Sequence, residues 1–264
     1  MTAPEYAGDE VRPFDFSGAT AVVLGGASGI GFAMATGLSA HGASVCVVSR
    51  SEERASQAAS SISDRTKGRC IGVSADVCEE DSLARLCERL GHVFDGRLNI
   101  AVNSAGINIR NPIERIPLAE WESVQRVNST GAFLFARTMF PLLRVAGWGR
   151  LINLTSIFAS RSYAHRTSYA SSKGAIIQLT RTLAIEWAGE RITVNAISPG
   201  PILTEFIRPV LNDPVSLQQW CSHIPLGRLG EPHEVVTACL FLASPASSYV
   251  TGAEIMVDGG WTVT

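Results

Sequence analysis

Residues 19–49 read Ala19-Thr-Ala-Val-Val-Leu24-Gly25-Gly26-Ala27-Ser28-Gly29-Ile30-Gly31-Phe32-Ala-Met-Ala-Thr-Gly-Leu-Ser-Ala-His41-Gly-Ala43-Ser-Val-Cys-Val-Val-Ser49. An apolar run of strand character ends in a cluster of glycines. A helical segment follows from Phe32, and a second Val-rich run closes the stretch. Strand, glycine turn, helix and strand within about 30 residues make a βαβ unit. Glycines at such a turn let backbone N–H groups approach a pyrophosphate at the helix N-terminus. A lone glycine cluster is a weak signal; the strand before it and the helix after it give it weight.

The same alternation continues outward. Strands are expected over 69–75, 98–102, 150–155, 191–197 and 254–257. Helices are expected over 52–65, 81–90, 118–143, from 168 onward, and over 231–243. Alternating strands and helices imply a Rossmann-type doubly wound parallel sheet of about seven strands, with helices on both faces. No linker, repeat or low-complexity segment interrupts it, so 14–264 reads as one dinucleotide-binding and catalytic domain behind a flexible tail at 1–13. The stretch 205–224, with Pro209 and Pro214, is less regular and reads as a mobile lid within about 203–225. Ligand groups in such sheets gather at the strands' carboxyl ends, where Gly25, Asp76, Asn103, Ser156 and Pro199 all fall.

Composition narrows the function. Of 264 residues 46% are hydrophobic and 17% charged, enough for a sizeable core. The net charge of −2 argues against a nucleic-acid partner. No apolar run approaches the roughly 20 residues of a membrane span, and the acidic start lacks the apolar core of a signal peptide, so a cytoplasmic protein is expected. Six cysteines form no Cys-x-x-Cys pair and read as reduced thiols, and five scattered histidines lack metal-ligand spacing, so no metal is expected.

The chemistry is expected in Ser156-Ile-Phe-Ala-Ser-Arg-Ser-Tyr-Ala-His-Arg-Thr-Ser-Tyr169-Ala-Ser-Ser-Lys173. Ser156 ends a buried strand. Tyr169 and Lys173 are four apart on a helix and share a face. A free phenol has a pKa of about 10 and is mostly inert as an acid–base group at pH 7. A nearby ammonium favours the phenolate, so Lys173 is expected to lower the pKa of Tyr169. A phenol so tuned exchanges a proton with a carbonyl oxygen or alcohol, and a serine hydroxyl can hold the same oxygen. Read blandly, the pair is a surface Tyr and Lys on an amphipathic helix.

Together these features resemble the short-chain dehydrogenase/reductase family over about 14–264. Gly25-x-x-x-Gly29-x-Gly31 matches its cofactor turn and Asn103-Ser104-Ala105-Gly106 its Asn-Asn-Ala-Gly. Asn128, Ser156, Tyr169 and Lys173 match its catalytic tetrad, and Ser198-Pro199-Gly200 through Thr204 its nicotinamide-side loop. Leu24, where Thr often opens the glycine motif, and Ser104, in place of Asn, depart from the pattern. The resemblance implies that Tyr169 is the acid–base group, that Lys173 also bonds the nicotinamide ribose, that Ser156 orients substrate, and that Asn128 holds a water linking Lys173 to solvent. It implies cofactor contacts from Gly25, Ser28, Gly29, Ile30, Gly31, Asn103, Ala105, Gly106, Tyr169, Lys173, Pro199 and Gly200. Asp76 and Val77 would flank the adenine, with Ile202 and Thr204 at the carboxamide and phosphates. For Asp76, a turn or N-cap role is the alternative.

The cofactor expectation is NADP(H), with NAD(H) as the alternative. An acidic residue after the second strand would select NAD; here stand Ser49, Arg50 and Ser51, and Arg50 can grip a 2′-phosphate. Glu52 and Glu53 read as facing away. The chain is most similar to gluconate 5-dehydrogenase and 3-oxoacyl-[acyl-carrier-protein] reductase members. The expected reaction interconverts a secondary alcohol and a ketone on a small polar molecule such as a sugar acid or polyol, with 3-oxoacyl thioester reduction as the rival. Arg110, Arg161, His165 and Arg166 lie in loops near the expected pocket and suit an anionic substrate. A non-catalytic dinucleotide sensor is the alternative of another class; it would lack Tyr or Lys, and both are present. Apolar residues on the helix 118–143 (Trp121, Val124, Val127, Phe133, Phe135) and on the next (Ile176, Ile177, Leu183, Trp187) exceed what one sheet face needs. In the family that the chain resembles these two helices pack against their counterparts in a partner subunit, so the resemblance implies a homotetramer.

Overall fold

The computed structural model describes residues 14–264; the expected tail at 1–13 lies outside the described residues. Seven strands form one parallel sheet: β1 (Thr20–Leu24), β2 (Ser44–Ser49), β3 (Cys70–Ser74), β4 (Ile100–Asn103), β5 (Gly149–Leu154), β6 (Ile192–Pro199) and β7 (Glu254–Val257), in spatial order β3-β2-β1-β4-β5-β6-β7. The helices are α1 (Gly29–Ala40), α2 (Glu52–Thr66), α3 (Glu80–Val93), α4 (Leu118–Gln125), α5 (Gly131–Val145), α6 (Thr167–Glu186), α7 (Arg208–Leu211), α8 (Pro214–Ser222) and α9 (Pro232–Ala243). The fold is the expected doubly wound parallel sheet.

Alternation along each strand builds the two halves of the core. Ala21 and Val23 of β1 pack with Met34, Leu38, Ile62 and Val235 on the face covered by α1, α2 and α9. Val22 and Leu24 pack with Leu83, Leu86, Phe135, Met139 and Leu183 on the face covered by α3, α5 and α6. A third cluster lies beyond the strands' carboxyl ends, where Ile157, Phe158 and Tyr169 meet Ile207, Trp220, Ile224, Leu229 and Trp261. The order of β1 and β4 reverses the winding, and ligands bind in the crevice at such a point.

Two local structures differ from the sequence expectations. The helix over 118–143 is interrupted: α4 passes through a π-helical turn, Arg126–Thr130, into α5, and Asn128 sits in that turn. The stretch 205–224 is largely helical, with a 3-10 turn Glu205–Ile207 ahead of α7 and α8. Pro214 stands at the start of α8, where proline is tolerated, and Asp213 caps the helix through Oδ1 at 3.2 Å from Val215 N. No helix among the described residues is long and apolar enough to cross a membrane.

Candidate active site

A cavity of about 660 Å³ opens along the carboxyl ends of the strands. One end is built by the β1–α1 turn. Gly25 has φ +75, and a Cβ there would lie 2.9 Å from the Ser104 carbonyl carbon; a Cβ on Gly31 would lie 2.3 Å from Gly25 O. Only glycine permits this packing. Ser28 gives α1 no side-chain cap, so the first N–H groups of the helix are left for another acceptor, and Ser28, Gly29, Ile30 and Gly31 line the cavity. The donor set suits a pyrophosphate.

Ser49, Arg50 and Ser51 line the cavity beyond β2. Arg54, on the first turn of α2, joins them and was not singled out from the sequence. Neither arginine makes an ion pair among the described residues. Glu52 turns away, its carboxylate accepting from Ser74 N at 2.7 Å. Asp76 and Val77 line the same end. The Asp76 carboxylate also accepts from Cys78 N at 2.9 Å, the turn role held open for it. Ala105, Gly106, Pro199, Gly200, Ile202 and Thr204 line the cavity. Asn103 does not: it is buried, and its Oδ1 turns back to accept from Ala105 N at 3.3 Å. Its effect on the cavity passes through the shape of the Ala105–Gly106 backbone.

At the other end α6 brings Tyr169 and Lys173 to Ser156, all three buried and in the cavity wall. Ser156 caps the short turn after β5, its Oγ accepting from Phe158 N at 3.2 Å, and it hydrogen-bonds the Tyr169 hydroxyl. Burial pushes the phenol up to about 12, against the opposing pull of Ser156 and of the Arg166 charge. This corrects the expectation that Lys173 lowers the pKa of Tyr169. Lys173 Nζ donates to Leu154 O at 2.8 Å, lies 5.6 Å from the Tyr169 ring centroid, and is itself drawn down to about 8 by burial. Desolvation outweighs the charge pair in the protein alone.

Asn128 is buried outside the cavity wall. The π turn aims its side chain at the β4 loop: Oδ1 accepts from Ile107 N at 2.8 Å, and Nδ2 donates to Ile107 O at 3.0 Å and to Ser172 Oγ at 2.8 Å. Asn128 thereby ties the Gly106 loop to the helix that carries Tyr169 and Lys173. Of the four loop cations expected near substrate, Arg110 and Arg166 line the cavity. Arg161 and His165 do not. Arg161 is drawn off to the C-terminal turn, where Nε donates to Thr262 O at 3.0 Å, and His165 is exposed at φ +62. Phe206 and Trp220 complete the wall and were missed, because the segment that carries them reads as irregular in the sequence.

The family model for Enoyl-(Acyl carrier protein) reductase matches residues 25–262. Galactitol 2-dehydrogenase (L-tagatose-forming) of Cereibacter sphaeroides is 37% identical, over 95% of this chain and 97% of its own. The rhamnolipids biosynthesis 3-oxoacyl-[acyl-carrier-protein] reductase of Pseudomonas aeruginosa is 36% identical, over 94% and 98%. Among solved structures, a gluconate 5-dehydrogenase from Burkholderia cenocepacia in complex with NADP and tartrate superposes with a TM-score of 0.92 at 31% identity, over 96% and 99%. The chain belongs to the short-chain dehydrogenase/reductase family, whose members are NAD(P)-dependent oxidoreductases.

Proposed function

We propose that this protein interconverts a secondary alcohol and a ketone with NADP(H), using Tyr169 as the acid–base group, on a small polar substrate such as a sugar acid or polyol. The observation that carries the reading is the paired hydroxyls of Tyr169 and Ser156 in the wall of the cavity that begins at the α1 N-terminus. The glycine turn with Ser28 and Ile30 would hold the pyrophosphate, and Arg50 and Arg54 the 2′-phosphate. Lys173, Pro199, Gly200, Ile202 and Thr204 would hold the nicotinamide half. When bound, the cofactor supplies or accepts the hydride.

The chain's own residues do the rest. With its pKa raised to about 12, Tyr169 carries its proton at pH 7 and is set to donate it to a carbonyl oxygen. Ser156 Oγ holds that oxygen while charge builds on it. In the alcohol direction Tyr169 must first lose its proton, and the Ser156 hydrogen bond and the Arg166 charge favour that loss. Asn128 positions α6 against the loop carrying Gly106. The segment over 203–225, with Ile207, Trp220 and Ile224 packed near Tyr169, serves as the lid that excludes water.

Reduction of a 3-oxoacyl thioester is the second reading, favoured by the 36% identical reductase above. A panel of sugar acids, polyols, hydroxy acids, cyclic ketones and a 3-oxoacyl thioester, run in both directions with both cofactors, tests the two. Turnover of the thioester alone decides for the second; no turnover of any alcohol or ketone overturns both.

A further inference from the structure

Arg166 is only 4% exposed, yet its Nε and Nη1 have no acceptor and it joins no ion pair among the described residues. Its guanidinium carbon lies 5.7 Å from the ring centroids of both Phe158 and Trp220. The Arg110 guanidinium approaches the same indole at 5.8 Å, so one tryptophan carries two cations. Aromatic faces help to hold a cation, but the in-plane N–H donors of a guanidinium still need oxygen acceptors.

Among the described residues none is supplied to Nε or Nη1. Of the cavity's lining residues only Asp76 and Glu205 are carboxylates. Asp76 is engaged with Cys78 N, and Glu205 pairs with Arg208 at 3.1 Å. Burying an unpaired charge is costly, and like charges on one ring oppose each other as well. Burial and the Arg110 charge draw Arg166 down to about 10, so it remains a cation at pH 7. Both arginines line the cavity that holds Ser156 and Tyr169, and the Arg166 charge is felt at the Tyr169 phenol. Asn108 Oδ1, in the same wall, is also buried without a donor, which suits a hydroxyl group beside the anion.

We propose that Arg166 and Arg110 form a carboxylate clamp in the substrate half of the cavity, so that the substrate is a hydroxy or keto acid and not a neutral polyol. The substrate class rests on the reaction proposed above, but the clamp is measurable without turnover. The probe is malonate against its neutral counterpart malonamide, titrated calorimetrically into the full-length protein saturated with NADP⁺, which also covers Arg50 and Arg54. Malonate is expected to bind at least tenfold tighter than malonamide. Arg166→Gln and Arg110→Gln should each weaken malonate at least tenfold and leave NADP⁺ affinity unchanged. Arg110 is half-buried, so its variant keeps the test open if Arg166→Gln fails to fold.

Equal affinity for the two probes, parent-like malonate binding by Arg110→Gln, or binding of inorganic phosphate in preference to malonate overturns the clamp. Turnover separates the two readings. Equal kcat/KM on a sugar acid and its neutral polyol removes the clamp and leaves the oxidoreductase reaction standing. Arginine-dependent malonate binding with no turnover of any alcohol or ketone removes the reaction and leaves the clamp.

Discussion

Arg50 follows β2 directly, at a position where one side chain can select between the two cofactors. A charge-assisted contact to a 2′-phosphate contributes ~1.5–3 kcal/mol, which implies at least about a tenfold preference for NADPH over NADH in kcat/KM. Arg50→Asp should lower or reverse that ratio, and an unchanged ratio would remove Arg50 from cofactor selection. Arg54→Gln should lower it in part. Arg50 is legible in the sequence because it replaces the acidic residue expected after a Val-rich strand. Arg54 is not, because on a polar helix it looks like one more solvated charge. The pH profile tests the other end of the cavity. Lys173 is held down to about 8 and Tyr169 up to about 12. Below about 8 the ammonium and the neutral phenol coexist, the state that favours reduction; above it the ammonium is lost first. Ketone reduction should therefore hold from pH 6 to 7 and fall as pH rises through about 8, and Lys173→Met should lose that limb. A falling limb unaltered in Lys173→Met would assign it to another group.

The element on which the active-site helix leans is the interrupted helix α4–α5. Its apolar stripe is visible in the sequence, but the π turn is not: one extra residue in a turn hardly alters the spacing. The turn aims Asn128 at Ile107 and Ser172 and brings Gly131 against Val77. A Cβ on Gly131 would lie 2.8 Å from Val77 Cγ2, and Val77 is a buried, stiff residue in the cavity wall. Gly131→Ala should destabilise the protein by about 1–3 kcal/mol, as overpacking does, and weaken NADPH binding. Thermal melts and cofactor titration check this, and a parent-like Tm with parent-like affinity would contradict it. The helices within 205–224 escape the sequence reading for the opposite reason: Pro214 looks like a breaker, but at the first position of α8 it starts a helix.

At the scale of the whole molecule, the layered sheet was legible because buried parallel strands read as continuous apolar runs. The surplus of apolar side chains on the two long helices was overstated. Val124, Phe135, Ile176, Ile177, Leu183 and Trp187 are buried within the chain itself. What stays exposed is Leu118 at 70%, Phe133 at 46%, Val145 at 64% and Ile185 at 81%. We still propose a homotetramer, with these four exposed apolar residues contributing to its interfaces. Light scattering at micromolar concentration should give a mass near four times the 28.1 kDa of one chain, and 28.1 kDa itself would contradict assembly.

The central claim is that Tyr169 moves the proton, and Tyr169→Phe tests it most directly, because it keeps the packed ring and deletes only the hydroxyl. NADPH-linked turnover of the best substrate is measured beside the NADPH dissociation constant for parent and variant. Turnover should fall by at least about 10²-fold with the dissociation constant unchanged. Near-parent turnover in the variant would contradict the account.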